Sequence, residues 1–445
     1  MADVTISYKG ATIATMDDSG SKTLGTSGKY CEGDIGVEYV KPSGGGEDRE
    51  DLTVPKDVDF IDFDGRLLYS YTAAEFLELT ELPPNPSYPG LVAQGWNWTL
   101  ADAQEFVAEY GAQVIGQNYI TDDGKTRIYI SLDNDYVETS MPLRLYVNCA
   151  STCTYSVDWG DGSTTTTTGG LFSTHTYAAA GDYIVTIEVT SGTIRLGYAG
   201  ANNTLFQTDT PLQSTLKKVE IGANVIGLCR NTFYRFPNLQ YVSIPTTCID
   251  HDTGSDLGMF AGPKLKAVVF PLGTPGQNTL MVGGRILSWY LNSLKYVSIP
   301  KTMTGCAFRT PYPMNLRKLI FPSYTTSVNL DAYLYDAKRL TQFIVPGSYT
   351  AIDKDRCRAS LIRKLTIPAS VTSIAATAFR HNGFLTEVHL LPTTPPTLAA
   401  TSAFTDGPAN RVYYVPYSED HSILEAYQTA TNWSTFAAYM QEEPQ

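Results

Sequence analysis

From residue 216 to residue 416 the apolar positions recur as one short phrase, Leu-x-x-Val-x-Ile-Pro. Copies stand at Leu216/Val219/Ile221, Leu239/Val242/Ile244/Pro245, Leu265/Val268/Phe270/Pro271 and Leu294/Val297/Ile299/Pro300. They continue at Leu316/Leu319/Phe321/Pro322, Leu340/Phe343/Val345/Pro346, Ile362/Leu365/Ile367/Pro368 and Leu385/Val388/Leu390, with Tyr413/Val415/Pro416 as a worn last copy. Their starts lie 23, 26, 29, 22, 24, 22 and 23 residues apart. Each phrase predicts a short strand, and the proline ends its pairing because it has no N–H to give. An aromatic usually precedes the next strand (Phe233, Phe260, Phe308, Tyr333, Phe379, Phe404) and is expected to plug the core from the return segment. One such unit cannot bury its apolar side alone, so neighbours are expected to stack into a solenoid with one continuous core.

Upstream the periodicity changes. In residues 1–42, Val4, Ile6, Tyr8, Ile13, Leu24, Ile35, Val37 and Tyr39 alternate between turn signals, which predicts about four short strands. So small a set cannot hold a large core, so this module is expected to dock on another subunit. Residues 43–51 read as a flexible charged linker. Residues 52–134 predict a mixed α/β unit. Phe60–Phe63 and Leu67–Tyr71 flank an Asp64-Gly65 hairpin turn, and residues 73–79 form a short helix. Thr99 caps a helix at 100–110 that Gly111 ends, and residues 119–130 form a second hairpin around Asp123-Gly124. In residues 135–197, Tyr183, Val185, Ile187 and Val189 alternate as a half-buried strand, and Trp159 offers one large aromatic to a core. After the repeats, residues 417–445 predict a helical cap around Trp433.

Three resemblances follow from these words. The repeat phrase, with its period of roughly 20–29 residues, resembles the BspA-type leucine-rich repeats of bacterial and phage surface proteins, here over residues 198–416. The Trp159-Gly160-Asp161-Gly162 turn and the His175-Thr176-Tyr177…Gly181-x-Tyr183-x-Val185-x-Ile187-x-Val189 ending resemble a PKD domain. That likeness implies an immunoglobulin-like β-sandwich serving as a spacer or carbohydrate-associated support. The words ISYKGATIATM, SGKYCEGDI, DFDGRLLYSYT, AQGWNWTL and YITDDGKTRIYI, spread over about the first 130 residues, resemble the N-terminal regions of phage tail and baseplate proteins. The fold class expected is therefore mainly β: a small N-terminal β module, a mixed α/β unit, a PKD-like sandwich and a leucine-rich solenoid with a short helical cap.

Composition narrows the function. The chain has 445 residues, 43% hydrophobic and 17% charged, with a formal net charge of −13. An acidic balance argues against general nucleic-acid binding. No apolar run approaches the ~18 residues that would span a bilayer, so no membrane insertion is expected. MADVTISYKG carries neither the basic nor the apolar part of a signal peptide. The seven cysteines are odd in number and scattered, and they read as buried thiols; Cys149 and Cys153 could pair, though a core role is favoured.

Candidate chemistry is sparse. Asp252-Thr253-Gly254-Ser255 spells the aspartic-protease word once, where that chemistry needs two carboxylates sharing a proton; a turn is favoured. Asp122-Asp123-Gly124 and Asp133-Asn134-Asp135 lack the 12-residue calcium loop and also read as turns. No nucleophile–base set stands out, so neither catalysis nor a cofactor is expected. One pattern is distinctive. The first, second and fourth residues after each repeat leucine point away from the repeat core. They include Lys217, Lys218, Lys266, Lys295, Arg317, Lys318, Arg363 and Lys364, against only Glu220 and Glu387, with Tyr241, Tyr296 and His389 on the same side. Lys218, Tyr241, Lys266, Lys295, Tyr296, Arg317, Lys318, Arg363, Lys364 and His389 are thus expected to contact a host-surface polysaccharide or protein. A solvated face with cations guarding strands is the plainer alternative. The function expected is a phage virion protein, made in the host cytoplasm. It would attach to tail or baseplate subunits through its N-terminal region, with homo-oligomerisation open, and display an adhesion module. A bacterial cell-surface adhesin is the alternative.

Overall fold

The computed structural model describes the strands within residues 4–39 and most of the chain from residue 56 on. The stretches not described are chiefly 199–203, 208–214, 250–259, 274–292, 309–314, 322–326, 331–338 and 355–360. The protein forms two units, Met1–Pro55 and Lys56–Gln445. In the first, Val4–Tyr8, Ala11–Met16 and Lys22–Leu24 make a three-stranded antiparallel sheet, and Gly28–Glu32 pairs with Ile35–Tyr39. The 43–51 linker and the Asp252-Thr253-Gly254-Ser255 word lie outside the described residues.

The second unit is mainly β with few helices. It opens with a four-stranded sheet in the order Leu67–Tyr71, Val58–Ile61, Gln113–Thr121, Leu91–Trp96. The first two strands form the expected hairpin, with Gly65 left-handed in its turn (φ 83°). The helix Leu100–Tyr110 follows its signals: Thr99 accepts a hydrogen bond from the Asp102 N–H, and Gly111 closes the end at φ 78°. Its buried side (Ala103, Phe106, Val107, Tyr110) packs on the sheet.

The expected second hairpin is corrected. Gln113–Thr121 and Thr126–Leu132 are both strands, and Gly124 turns between them at φ 74°. They do not pair with each other. Gln113–Thr121 pairs with Val58–Ile61 and Leu91–Trp96, while Thr126–Leu132 lies between Gly181–Ser191 and Leu216–Glu220, antiparallel to both. Better partners outcompete the local one, because both edges of each strand are taken by other strands.

Leu143–Asp158 and Thr164–His175 form one long hairpin, broken in register around Cys149–Thr154 and carrying Gly169 and Gly170 at positive φ. Trp159 at its tip is fully buried, donates Nε1–H to Thr165 Oγ1 at 2.9 Å and stacks on His175 with ring centroids 5.1 Å apart. The tight turn needs Gly160 (φ 80°), since a Cβ there would stand 2.8 Å from the Ile184 carbonyl oxygen. Cys149 and Cys153 are joined in a disulfide with Cα atoms 5.6 Å apart, which corrects the reading of both as free thiols. The irregular stretch between them supplies that approach. Cys229 and Cys248 are buried and outside the disulfide.

In the repeats each phrase becomes a short strand, and neighbouring strands pair in parallel within three separate groups. Leu216–Glu220 pairs with Tyr241–Ser243, and Ala267–Val269 pairs with Tyr296–Ser298. Lys318–Ile320, Gln342–Ile344, Lys364–Ile367, Glu387–Leu390, Val412–Val415 and Met440–Glu442 form a six-stranded ladder. The skeleton leucines, valines and isoleucines are buried in one core that runs from the sandwich to the C-terminal Tyr427 and Trp433. Return-segment aromatics join it as expected: Phe233 stacks on Phe260 at 5.4 Å and Phe379 on Phe404 at 5.5 Å. Ser422–Thr429 and a 3₁₀ stretch at Trp433–Tyr439 close the end, with Trp433 Nε1–H on the Pro396 carbonyl at 2.7 Å.

Gly116 sets how closely the first sheet approaches the repeats. A Cβ there would lie 2.4 Å from Val269 Cγ1 and 2.9 Å from Ser298 Cβ. Gly116→Val should cost about 1–3 kcal/mol by overpacking, read as a lower urea midpoint. Gly383→Ala, where the new Cβ meets nothing within 4 Å, should stay within about 0.5 kcal/mol.

Candidate binding surface

The outward side of the repeat strands divides into three rows. The second-position row is Lys218, Tyr241, Ala267, Tyr296, Lys318, Gln342, Lys364 and Glu387. The fourth-position row is Glu220, Ser243, Val269, Ser298, Ile320, Ile344, Thr366 and His389. The first-position row is Lys217, Gln240, Lys266, Lys295, Arg317, Thr341, Arg363 and Thr386. The structure treats the rows differently, because residues 56–121 lie across this side.

The middle of the second and fourth rows is covered. Ala267, Val269, Tyr296, Ile320 and Ile344 form a second core with Phe60, Trp96, Trp98, Phe106 and Ile115. Polar atoms at the seam find partners. Asn97 Nδ2–H donates to the Phe270 carbonyl at 2.8 Å and to Ser298 Oγ at 2.9 Å. Ser298 Oγ–H reaches the Val114 carbonyl at 2.7 Å, Asn118 Nδ2–H the Ile244 carbonyl at 3.0 Å, and Trp98 Nε1–H the Ile299 carbonyl at 2.9 Å. Lys318, 4% exposed, puts its ammonium 2.7 Å from Asp59 Oδ2 and donates to the Lys56 and Asp57 carbonyls.

The ten predicted contact residues are therefore not one free face, and that expectation is corrected. Tyr296 and Lys318 are buried under the chain's own first sheet. Lys364 ends beside Gly111, at the helix C-terminus where a cation is favoured. Lys218 lies 5.6 Å from the ring centroids of both Tyr129 and Tyr241. Both tyrosine hydroxyls donate to Glu220, at 2.9 and 2.8 Å. Burial first, then Glu220, pushes the Tyr129 hydroxyl up to about 12, and Tyr241 is raised further for the same reasons. His389 is half-buried, stacked on Tyr414 at 4.6 Å and paired with Glu443. Lys266, Lys295, Arg317 and Arg363 belong to the first row, which stays exposed or half-exposed.

Other candidates take structural roles. Asp123 accepts from the Lys125 N–H and Arg127, and Asp133 caps the helix Asn134–Glu138. Asp161 accepts from Ser163 and pairs with His175 at 2.7 Å. Burial would raise its carboxyl, but those bonds outweigh burial and hold it at about 2. Among the described residues, no group of three or more His, Cys, Asp or Glu could hold a metal ion. Sequence reasoning missed Asp62, a buried carboxyl bonded by Arg66, Tyr88 and the Phe63 N–H. Burial and then Asp64 push it up to about 7, against the Phe63 and Arg66 contacts. Nothing in its Asp-Phe-Asp-Gly context separates it from an ordinary turn acid.

Two family models match parts of the chain. Six copies of the BspA type leucine rich repeat region match across residues 288–386, and the PKD domain matches residues 128–193. No curated protein matches the chain.

Lys318→Met should cost about 3–5 kcal/mol, because it leaves Asp59 charged and buried without its partner. Lys266→Met should change stability by less than about 0.5 kcal/mol, and paired urea titrations compare the two. Asp62 makes a pH prediction. Its folded value, about 7, lies above the ordinary value of about 4 for an unfolded aspartate. Its contribution to stability is thus full below about pH 4 and is lost as pH rises through about 7. Asp62→Asn should remove that decline, seen as a flatter plot of urea midpoint against pH between 4 and 8; an unchanged plot would refute the assignment.

Proposed function

We propose that this chain is a surface adhesion-type protein that acts by binding and carries out no turnover. The observation that supports this reading is the joining of BspA-type repeats and a PKD domain in one body through a shared strand. Thr126–Leu132 pairs with the sandwich strand Gly181–Ser191 on one side and the repeat strand Leu216–Glu220 on the other. The repeats, in this reading, stack as a leucine-rich solenoid, and the sandwich sets its start. Covering most of the outward side leaves recognition of a cell-surface polysaccharide or protein to the rows outside the cover.

The finer reading places the chain in a phage particle, tail or baseplate, held by residues 1–55. It rests on the resemblance of the first 130 residues. The strands of residues 4–39 carry few residues each, which favours a docking or oligomerising role. The test uses labelled full-length protein on bacterial cells, with saturable binding expected. Absence of binding above a bovine albumin control on every strain of a broad panel would overturn the adhesion reading. Deleting residues 1–55 should preserve binding and abolish incorporation into particles, read by mass spectrometry of purified virions. Incorporation of the truncated chain would overturn the docking role.

A further inference from the structure

The first-position row is a lip along the repeats, and from Lys266 to Thr386 its backbone is stacked residue on residue. Lys295 N–H donates to the Lys266 carbonyl at 2.7 Å, and Arg317 N–H to Lys295 at 3.0 Å. The row continues with Thr341 N–H on Arg317 at 2.8 Å, Arg363 on Thr341 at 3.2 Å and Thr386 on Arg363 at 2.9 Å. At the other end Gln240 N–H donates to the Lys217 carbonyl at 2.8 Å. Five of the eight side chains are cations and none is a carboxylate. Lys266 and Arg363 are exposed, and Lys217 is half-exposed. Stacked strands repeat at ~4.8 Å, so the row sets cations at multiples of that spacing along one line.

We infer that this lip binds a linear acidic polysaccharide lying along the repeat axis, an inference that rests on the adhesion reading above. A line one residue wide and several coils long fits an extended polymer better than a compact ligand. Charge density separates the polymers. Duplex nucleic acid carries one phosphate per ~1.7 Å of axis, far denser than the row's at most one cation per ~4.8 Å, and the −13 background repels it. A glycan with one carboxylate or phosphate every sugar or two matches the sparser row. The first sheet meets the lip at Gly65, where a Cβ would stand 2.6 Å from Lys266 Cβ, and Lys266 stays exposed beside that contact.

The test compares full-length wild type with Lys217→Gln/Lys266→Gln/Arg363→Gln, and with Lys354→Gln as an exposed-charge control. Immobilised probes are polygalacturonate, poly(glycerol phosphate), dextran and duplex DNA. Wild type and the control should bind one or both acidic polymers, with affinity falling steeply from 50 to 500 mM salt because the screening length shrinks from above ~10 Å to below ~8 Å over that range. The triple variant should lose about tenfold or more while its thermal melt is unchanged. Retention by polygalacturonate alone assigns carboxylate recognition, and retention by the phosphate polymer alone assigns phosphate recognition. Equal binding by wild type and triple variant, equal binding to dextran, or tighter binding to DNA would overturn the inference. If the triple variant still adheres to cells like wild type, the lip falls and the adhesion reading stands. If wild type itself adheres to no cell, the adhesion reading falls independently.

Discussion

A ladder of parallel strands has two sides, and the inward leucine phrase covers only one. On the other side Ala267, Val269, Tyr296, Ile320 and Ile344 present apolar surface that water would leave unfavourable. The sheet built from residues 56–121 removes it. Gly116 allows the approach, and Asn97, Asn118 and Ser298 satisfy carbonyls along the seam. Lys318 shows how narrow the tolerance is. A buried ammonium is costly, and it is retained here only with one carboxylate and two carbonyls around it. The position of everything upstream of residue 122 in this unit depends on that seam.

The second constraint is the strand Thr126–Leu132. It pairs over seven residues with the sandwich and over four with the first repeat strand. Its inward Ile128, Ile130 and Leu132 enter the same core as Val185, Ile187, Leu216 and Val219. Separating sandwich from repeats would expose that core and free both hydrogen-bonded edges together. The two parts therefore hold one orientation, and a load applied at the sandwich passes into the repeats through strand pairing.

Much of this was legible in the sequence. The leucine phrase fixed the register of each repeat strand because its spacing admits only one inward set. Trp159 and the following Gly-Asp-Gly located the sandwich hairpin, and Thr99 and Gly111 bounded the helix. The cover was not read, although a signal for it exists. In the middle copies the fourth-position residues are Val269, Ser298, Ile320 and Ile344, none of them charged, so these strands are apolar at both parities. Strands of that kind are buried on both faces. The lysines beside them drew attention to charge instead. The partner itself was out of reach, since Asn97 and Ser298 stand 201 residues apart and no local pattern links them. The false hairpin at 119–130 failed for a related reason: its turn is real, but turn chemistry says nothing of competing edges.

Burial also explains where the cations remain. The first-position row lies at the margin of the cover, where Lys217, Lys266, Lys295, Arg317 and Arg363 stay exposed or half-exposed, whereas among the covered middle strands the second row keeps only Lys318. Protection against aggregation is a weak account of that row. Lysines guard a strand at an unpaired edge, where N–H and C=O groups await another chain. In a parallel ladder those edges lie at the ends of each paired group, and the repeat strands here pair in three groups. The first group continues into Thr126–Leu132, and the last is closed by Met440–Glu442 beneath the helical cap. The lip runs at right angles to those edges, along the strand starts, and from Lys266 to Thr386 its backbone groups are bonded from coil to coil. Cations repeated there follow the strand starts in five of the eight coils, including Lys217 and Arg363 beside strands paired on both edges.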